Sequence, residues 1–458
     1  MSETASKWTT LLAISVAQFL MPFMLSGITV ALPSIATEFN ASARELSLVV
    51  ISYTTSVSIF LLPLGRLGDI YGRRNILQKG LFLFAVVGLL VPLAWSIESV
   101  IILRFIQGLG GAMVSASGMA IVVSVFPVEE RGRALGIATA SIYLGISCGP
   151  FIGGALVTLL GWRSIFYISV PLGLAMYMLV RLRLKSEWAG AKDEGFDWPG
   201  TVVYSLLIIF IVVASSKVEE RSLWWLFSVA GASLTGLFLY LEMRAKSPLL
   251  DLGLLRRNKV FALSSVATLL NYAATFGVTF FLSLYLQYAK GLSPAKTGIL
   301  LVIQPAFQSI FSPYCGRLSD RYPAERLATY GMAICAVGLG LAALMTPETS
   351  LSFIGMVLIV LGIGFALFSS PNTSVILGSV PPRQLGVASG FLATMRTLGM
   401  MFSMTIITLL LSIFMGDLAV SVETLPTFID SMKISFVVFA LLCVLGIFCS
   451  LGRWSRAK

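Results

Sequence analysis

The chain has 458 residues, of which 57% are hydrophobic and 12% charged, whereas about a quarter of a soluble protein's residues carry charge; water is not the solvent for most of this surface. Histidine is absent, which removes the commonest metal ligand and the usual neutral-pH switch. The five cysteines (Cys148, Cys315, Cys335, Cys443 and Cys449) lie in or at the ends of apolar runs without metal-ligand spacing, as buried hydrophobes do. An enzyme, a metal site or a bound cofactor finds no support.

Roughly 20 apolar residues cross a bilayer as a helix, and the runs here are too long and unbroken for barrel strands. In chain order the spacing predicts an all-α integral membrane protein with helical spans at 10–32, 46–65, 79–96, 99–126, 133–160, 163–182, 199–216, 223–242, 260–287, 294–315, 327–346, 351–370, 385–416 and 433–452. The first is longer than the core of a cleavable signal and leads directly into the second, so it is expected to stay.

The formal net charge of +11 is spread along the chain. Sorted by these spans, 23 of the 32 Lys and Arg fall on the side that holds both termini. Seven fall on the other (Arg44, Arg163, Lys217, Arg221, Lys290, Lys296 and Lys433), and Arg104 and Arg396 lie inside spans. The asymmetry places both termini in the cytoplasm, so basicity reads as orientation in a lipid bilayer and gives no reason to expect nucleic acid. Reporter fusions after residues 190, 250 and 320 are expected to be cytoplasmic, and fusions near 219 and 425 external; a cytoplasmic signal at 219 would reduce the fold to twelve spans.

A duplication organises the spans. Gly65-Arg66-Leu67-Gly68-Asp69 after span 2 returns as Gly316-Arg317-Leu318-Ser319-Asp320 after span 10, at an offset of 251. At an offset of 254, Gly108 and Gly110 match Gly362 and Gly364, Pro127 matches Pro381, Gly132 and Gly136 match Gly386 and Gly390, and Gly145 matches Gly399. Spans 1–6 therefore correspond to spans 9–14. The expected domains are an N-terminal six-helix bundle (1–183), a cytoplasmic linker with an inserted two-helix hairpin (184–257), and a C-terminal six-helix bundle (258–458). Transporters carry such repeats and bind substrate near the midplane between them.

Four motifs carry a resemblance over essentially the whole length. They are Gly65 to Arg74 after span 2, Arg104-Phe105-Ile106-Gln107-Gly108 in span 4, Gly145 with Gly149-Pro150 and Gly153-Gly154 in span 5, and Pro381 to Gly390 with Arg396 and Gly399 leading into span 13. In this order they resemble the fourteen-helix drug:proton antiporter branch of the major facilitator superfamily. The resemblance implies two pseudo-symmetric six-helix bundles plus two inserted helices, and a secondary transporter in a prokaryotic cytoplasmic membrane.

The residues admit more than one use. The glycines of the first motif (Gly65, Gly68, Gly72) suit a tight cytoplasmic turn; Asp69 can face the positive N-terminus of a neighbouring helix, and Arg73 and Arg74 can pair acids or lipid phosphates. Membrane anchoring accounts for the arginines alone, while an acid fixed in both halves, Asp69 and Asp320, fits a conformational latch. Gly145, Gly149, Gly153 and Gly154 share about one helical face with Pro150 among them, which suits a gate helix or plain close packing. The second half has Ser403 and Met404 where the first has Gly149 and Pro150.

Charge inside a membrane is costly and marks candidate function. Arg104 is near enough to the outer end of its span to snorkel. Arg396 is eleven residues into its span, roughly 16 Å at helical rise, with Asn372, Gln304, carbonyls or substrate as candidate partners. Relatives in this branch that export cations carry an acid in helix 1 where this chain has Met24, and all 21 acids lie in loops or near helix ends. An arginine without a carboxylate favours neutral or anionic cargo. Met24, Ser26, Thr29, Gln107, Asn271, Gln304 and Asn372 are candidate cavity residues, with ordinary packing as the alternative for each. The expected function is export of drug-like or amphiphilic small molecules by alternating access with proton antiport. The alternatives are a facilitator or importer of a neutral or anionic metabolite (a vitamin or organic acid) and a membrane receptor that does not translocate. With no histidine and no mid-span lysine or acid, proton coupling falls to the carboxylates at the cytoplasmic helix ends, Asp69 above all.

Overall fold

The computed structural model describes residues 3–184, 186–188, 195–216, 224–245, 249, 252–319, 321–381 and 385–453. The described residues form seventeen α-helices. The first six are α1 (Glu3–Phe39), α2 (Ala43–Tyr71), α3 (Arg73–Leu90), α4 (Ile97–Val125), α5 (Val128–Leu160) and α6 (Arg163–Arg183). Then come α7 (Trp198–Ser216), α8 (Trp224–Arg244), the short α9 (Leu252–Arg257), α10 (Lys259–Thr275) and α11 (Val278–Tyr288). The last six are α12 (Pro294–Leu301), α13 (Ile303–Ser319), α14 (Ala324–Ala342), α15 (Leu351–Gly378), α16 (Leu385–Phe414) and α17 (Leu425–Leu451).

Local chemistry sets many of the helix starts. Ser96 and Ser99 close a reciprocal capping box at α4, and Asn258, Ser293 and Ser350 accept from backbone N–H groups at the starts of α10, α12 and α15, each cap satisfying a donor that the first turn leaves open. The α5–α6 turn is made by Gly161 at φ +80°.

Twelve helical segments among the described residues are long and apolar enough to cross a membrane, against the fourteen expected. Helices α8 and α14 occupy the other two expected positions, 223–242 and 327–346, but are not among the twelve. Two expected spans are interrupted: 260–287 is divided into α10 and α11 around Phe276–Gly277, and 294–315 into α12 and α13 at Val302.

The chain divides into two compact units. One comprises Met1–Phe39, Leu48–Ala214 and Ser222–Leu250; the other comprises Asn40–Ser47, Ser215–Arg221 and Asp251–Lys458. The hairpin of α7 and α8 packs within the first unit, where the Tyr204 hydroxyl donates to the Ser58 carbonyl of α2 at 2.9 Å and the Tyr204 and Phe238 rings lie 5.5 Å apart.

Inside each unit, the matched glycines occupy matched helix crossings. A Cβ on Gly108 would stand 2.6 Å from the Tyr53 carbonyl oxygen, and one on Gly362 2.5 Å from that of Gln304. A Cβ on Gly110 would stand 2.9 Å from the Phe84 nitrogen, and one on Gly364 2.9 Å from that of Cys335. Tyr53 and Gln304, like Phe84 and Cys335, are separated by the same offset that relates Gly65 to Gly316. Gly145 meets the Phe19 carbonyl oxygen and Gly399 that of Leu269. Backbone lies against backbone at each crossing, and a side chain there has no room. The duplication read from spacing is therefore a duplication of packing.

Candidate functional site

The motif after span 2 is mostly helix. Gly65 and Gly68 lie inside α2, which runs to Tyr71, and the turn is made by Gly72 alone at φ +107°, a conformation that suits glycine. Asp69 pairs at 2.7 Å with Arg73, the first residue of α3, four positions on. Arg73 in turn donates to the Ala120 carbonyl at 3.1 Å and to Ser124 Oγ at 3.2 Å. Both acceptors lie in the last turns of α4, where a cation is favoured.

Glu187, from the segment after α6, completes the turn. The Arg74 backbone N–H donates to the Glu187 carboxylate at 2.8 Å, and the Arg73 N–H donates to the Trp188 carbonyl at 3.0 Å. Helix α3 has no cap from its own N-cap residue, Gly72; Glu187 supplies one from 113 residues away. The same carboxylate fills the space beside Gly72 that a Cβ would occupy.

The span 5 motif packs on α1. Gly145 lies against Phe19, Gly149 against Ser26 Oγ and the Phe23 carbonyl, and Gly153 against Gly27, with a Cβ on Gly153 3.1 Å from Gly27 Cα; Pro150 and Gly154 lie within the same continuous α5. Ser26 and Thr29 donate to carbonyls of their own helix, Pro22 at 2.8 Å and Ser26 at 2.6 Å, and Met24 is fully buried. In the second unit Ser403 is the repeat counterpart of Gly149, and its Oγ accepts from the Gly277 N–H at 2.9 Å. A hydroxyl where the first unit has glycine thus bonds the backbone at the break between α10 and α11.

Arg104 does not snorkel. It is fully buried, its guanidinium 4.6 Å from the Tyr53 ring centre and 5.9 Å from that of Phe166. Nη1 donates to Gln107 Oε1 at 2.7 Å. Arg104 Nε and Nη2 and Gln107 Nε2 are buried without a protein acceptor among the described residues.

In the second unit Arg396 is half-buried, and its Nη2 donates to Thr373 Oγ1 at 3.0 Å, with the Tyr272 ring centre 5.9 Å away. Thr373 is not among the partners expected from sequence. Asn372, which is, serves elsewhere: its amide donates to the Ser264 carbonyl at 3.1 Å and to Thr268 Oγ1 at 2.8 Å, and its Oδ1 accepts from Arg453 Nη1 at 2.7 Å. Arg453 also donates to Ser264 Oγ at 2.7 Å and to Ser450 Oγ, and burial pushes its guanidinium down to about 10. From sequence, Arg453 is one more basic residue of the cytoplasmic tail. Gln304 is half-buried and contributes its carbonyl to the Gly362 crossing. Asn271 is fully buried beside Cys335. Gly316 lies near Ser370, and its companion Asp320 lies outside the described residues.

Two helical units with matching glycine crossings, and guanidinium groups buried within them, are features expected of a repeat-built membrane transporter. A family model described as Major Facilitator Superfamily matches residues 14–404. The riboflavin transporter RibZ of Clostridioides difficile (strain 630) is 28% identical over 397 residues, covering 86% of this chain and 85% of that protein. The multidrug resistance protein Stp of Mycobacterium tuberculosis (strain CDC 1551 / Oshkosh) is 31% identical over 396 residues, covering 85% of this chain and 73% of that protein. The crystal structure of a bacterial homologue of the human lysosomal transporter Spinster has a TM-score of 0.72 at 17% identity, covering 98% of each chain. The chain belongs to the Major Facilitator Superfamily, and it is a secondary transporter.

Proposed function

We propose that this transporter is of the fourteen-helix type and exports drug-like, amphiphilic small molecules by alternating access with proton antiport. Its place would be a bacterial cytoplasmic membrane with both termini inside. The observation that carries cargo class is the charge inside the helices: Arg104 donates to an amide oxygen and Arg396 to a hydroxyl, and Met24 stands where cation exporters of this branch carry an acid. A guanidinium attracts neutral acceptors and anions and repels cations. The likeness to a multidrug resistance protein supports export. The likeness to a riboflavin transporter and the same lack of a mid-span acid favour a second assignment, a facilitator or importer of a neutral or anionic metabolite.

The test is flux in proteoliposomes with labelled neutral, anionic and cationic amphiphiles under an imposed pH gradient. Neutral or anionic members are expected to accumulate in acid-loaded vesicles and to leave when the gradient is collapsed. Flux indifferent to pH would replace antiport by facilitation, and binding without flux would leave a receptor. In the same assay Arg396→Ala is expected to insert and express normally yet lose most transport. Arg396→Lys should not restore it fully, because a point charge cannot replace a planar fork. Wild-type flux in the alanine variant would reduce Arg396 to packing.

A further inference from the structure

Arg104 presents a more specific feature than a buried positive charge. In a guanidinium the Nε–H and one Nη2–H point the same way and form a two-pronged edge that fits the two oxygens of a carboxylate. Arg104 uses its remaining nitrogen, Nη1, on Gln107. The two-pronged edge is the part without a protein acceptor among the described residues, in a side chain with no exposure at all. Gln107 accepts through Oε1, which leaves its own amide nitrogen beside the guanidinium as a third donor without an acceptor among those residues.

Arginine does not shed its charge in proteins, and a buried charge without a counter-charge is among the costlier arrangements a fold can hold. The Tyr53 ring at 4.6 Å offsets only part of that cost. The Tyr53 ring lies against the guanidinium, and Tyr53 packs on glycine: a Cβ on Gly108 would stand 2.6 Å from the Tyr53 carbonyl oxygen, and Gly111 abuts the Tyr53 hydroxyl. Tyr53 belongs to α2 and Arg104 to α4, so a displacement of α2 relative to α4 carries the ring off the guanidinium.

We infer that Arg104 and Gln107 form a binding site for a planar oxyanion, the carboxylate of an amphiphilic cargo, received on the Nε/Nη2 edge when α2 moves Tyr53 aside. This deepens the neutral-or-anionic export assignment and rests on it. The same chemistry could be met by a small free carboxylate, so the source has to be distinguished by experiment.

The test is equilibrium binding to the full-length protein in lipid nanodiscs, using 1-naphthoate and its uncharged isostere 1-naphthamide, with acetate as competitor. Naphthoate is expected to bind about ten- to a hundredfold more tightly than naphthamide, the range expected of hydrogen bonds to a charged group. Arg104→Lys should lose most of that preference, and Arg104→Gln all of it. Acetate that displaces naphthoate only at far higher concentration assigns the site to the cargo; acetate that competes as well as naphthoate itself assigns it to a small free carboxylate, which overturns the cargo assignment. Equal binding of the two naphthyl probes by the wild type, no binding of either probe or acetate, or an unchanged preference in Arg104→Gln overturns the site. The wild-type comparison needs no variant to fold. Flux of uncharged amphiphiles with no carboxylate preference would sink this site and leave the transporter assignment standing, whereas carboxylate binding without any flux would do the reverse.

Discussion

Gly145→Val and Gly399→Val are each expected to abolish transport and to lower the yield of folded protein. At both positions the added side chain would meet a backbone carbonyl, of Phe19 in the first unit and of Leu269 in the second. A carbonyl within a helix cannot rotate away as a flexible side chain can, so the crossing itself must open. Overpacking a well-packed site costs roughly 1–3 kcal/mol and occasionally more, and two rigid helices put these sites at the upper end. Gly136 and Gly390 supply the control: they too are repeat counterparts, and at neither would an added Cβ have an atom within 4 Å among the described residues. Gly136→Ala and Gly390→Ala are expected to keep transport near wild type. Melting in detergent, membrane yield and substrate flux would be measured side by side. Full transport by Gly145→Val would remove the crossing from the mechanism, and loss of transport in Gly136→Ala would show that the spacing has a use other than packing.

These crossings were legible because close approach of two helices demands glycine, and the demand recurs wherever the repeat recurs. Gly108 and Gly362, or Gly110 and Gly364, could be paired from numbering alone, and the structure places matching backbone atoms beside each. Legibility ended where a contact depends on residues far apart in the chain. Glu187 caps α3 across 113 residues, and nothing in the sequence around Gly72 asks for a carboxylate from the linker. Arg396 illustrates how narrow the miss can be. Asn372 and Thr373 are neighbours on α15, but adjacent helix residues point about 100° apart, so one faces Arg453 and the other Arg396. The break between α10 and α11 carried a faint signal, since Ser403 replaces the glycine of the first half and bonds the Gly277 N–H there. Pattern alone could not say whether that serine bonds a broken helix or merely packs.

Asp69→Asn is expected to abolish uphill transport driven by a pH gradient while leaving substrate binding measurable. A coupled antiporter needs a group that takes up and releases a proton as the carrier changes state. This chain has no histidine, and arginine does not deprotonate in proteins. Asp69 is a carboxylate whose charge is joined to the packing: it holds Arg73 at 2.7 Å, and Arg73 ties the end of α2 to the last turns of α4 through Ala120 and Ser124. A proton arriving on Asp69 would cancel the charge that orients Arg73, and the tie between the two helices would loosen with it. The pair is partly exposed, with side-chain exposures of 26% for Arg73 and 32% for Asp69, and an ion pair of that kind contributes only about 0–1 kcal/mol to stability. Asparagine also preserves the shape of the side chain. The variant should therefore fold, and its defect should lie in coupling. Glu187→Gln is the companion measurement: its amide oxygen can still accept from the Arg74 N–H, so it should keep pH-driven flux, whereas Glu187→Ala removes the cap of α3 at a cost of about 1 kcal/mol. Normal gradient-driven accumulation by Asp69→Asn would move coupling to another group. An equal loss in Glu187→Gln would mean that the integrity of the turn, and not the proton on Asp69, is what transport requires.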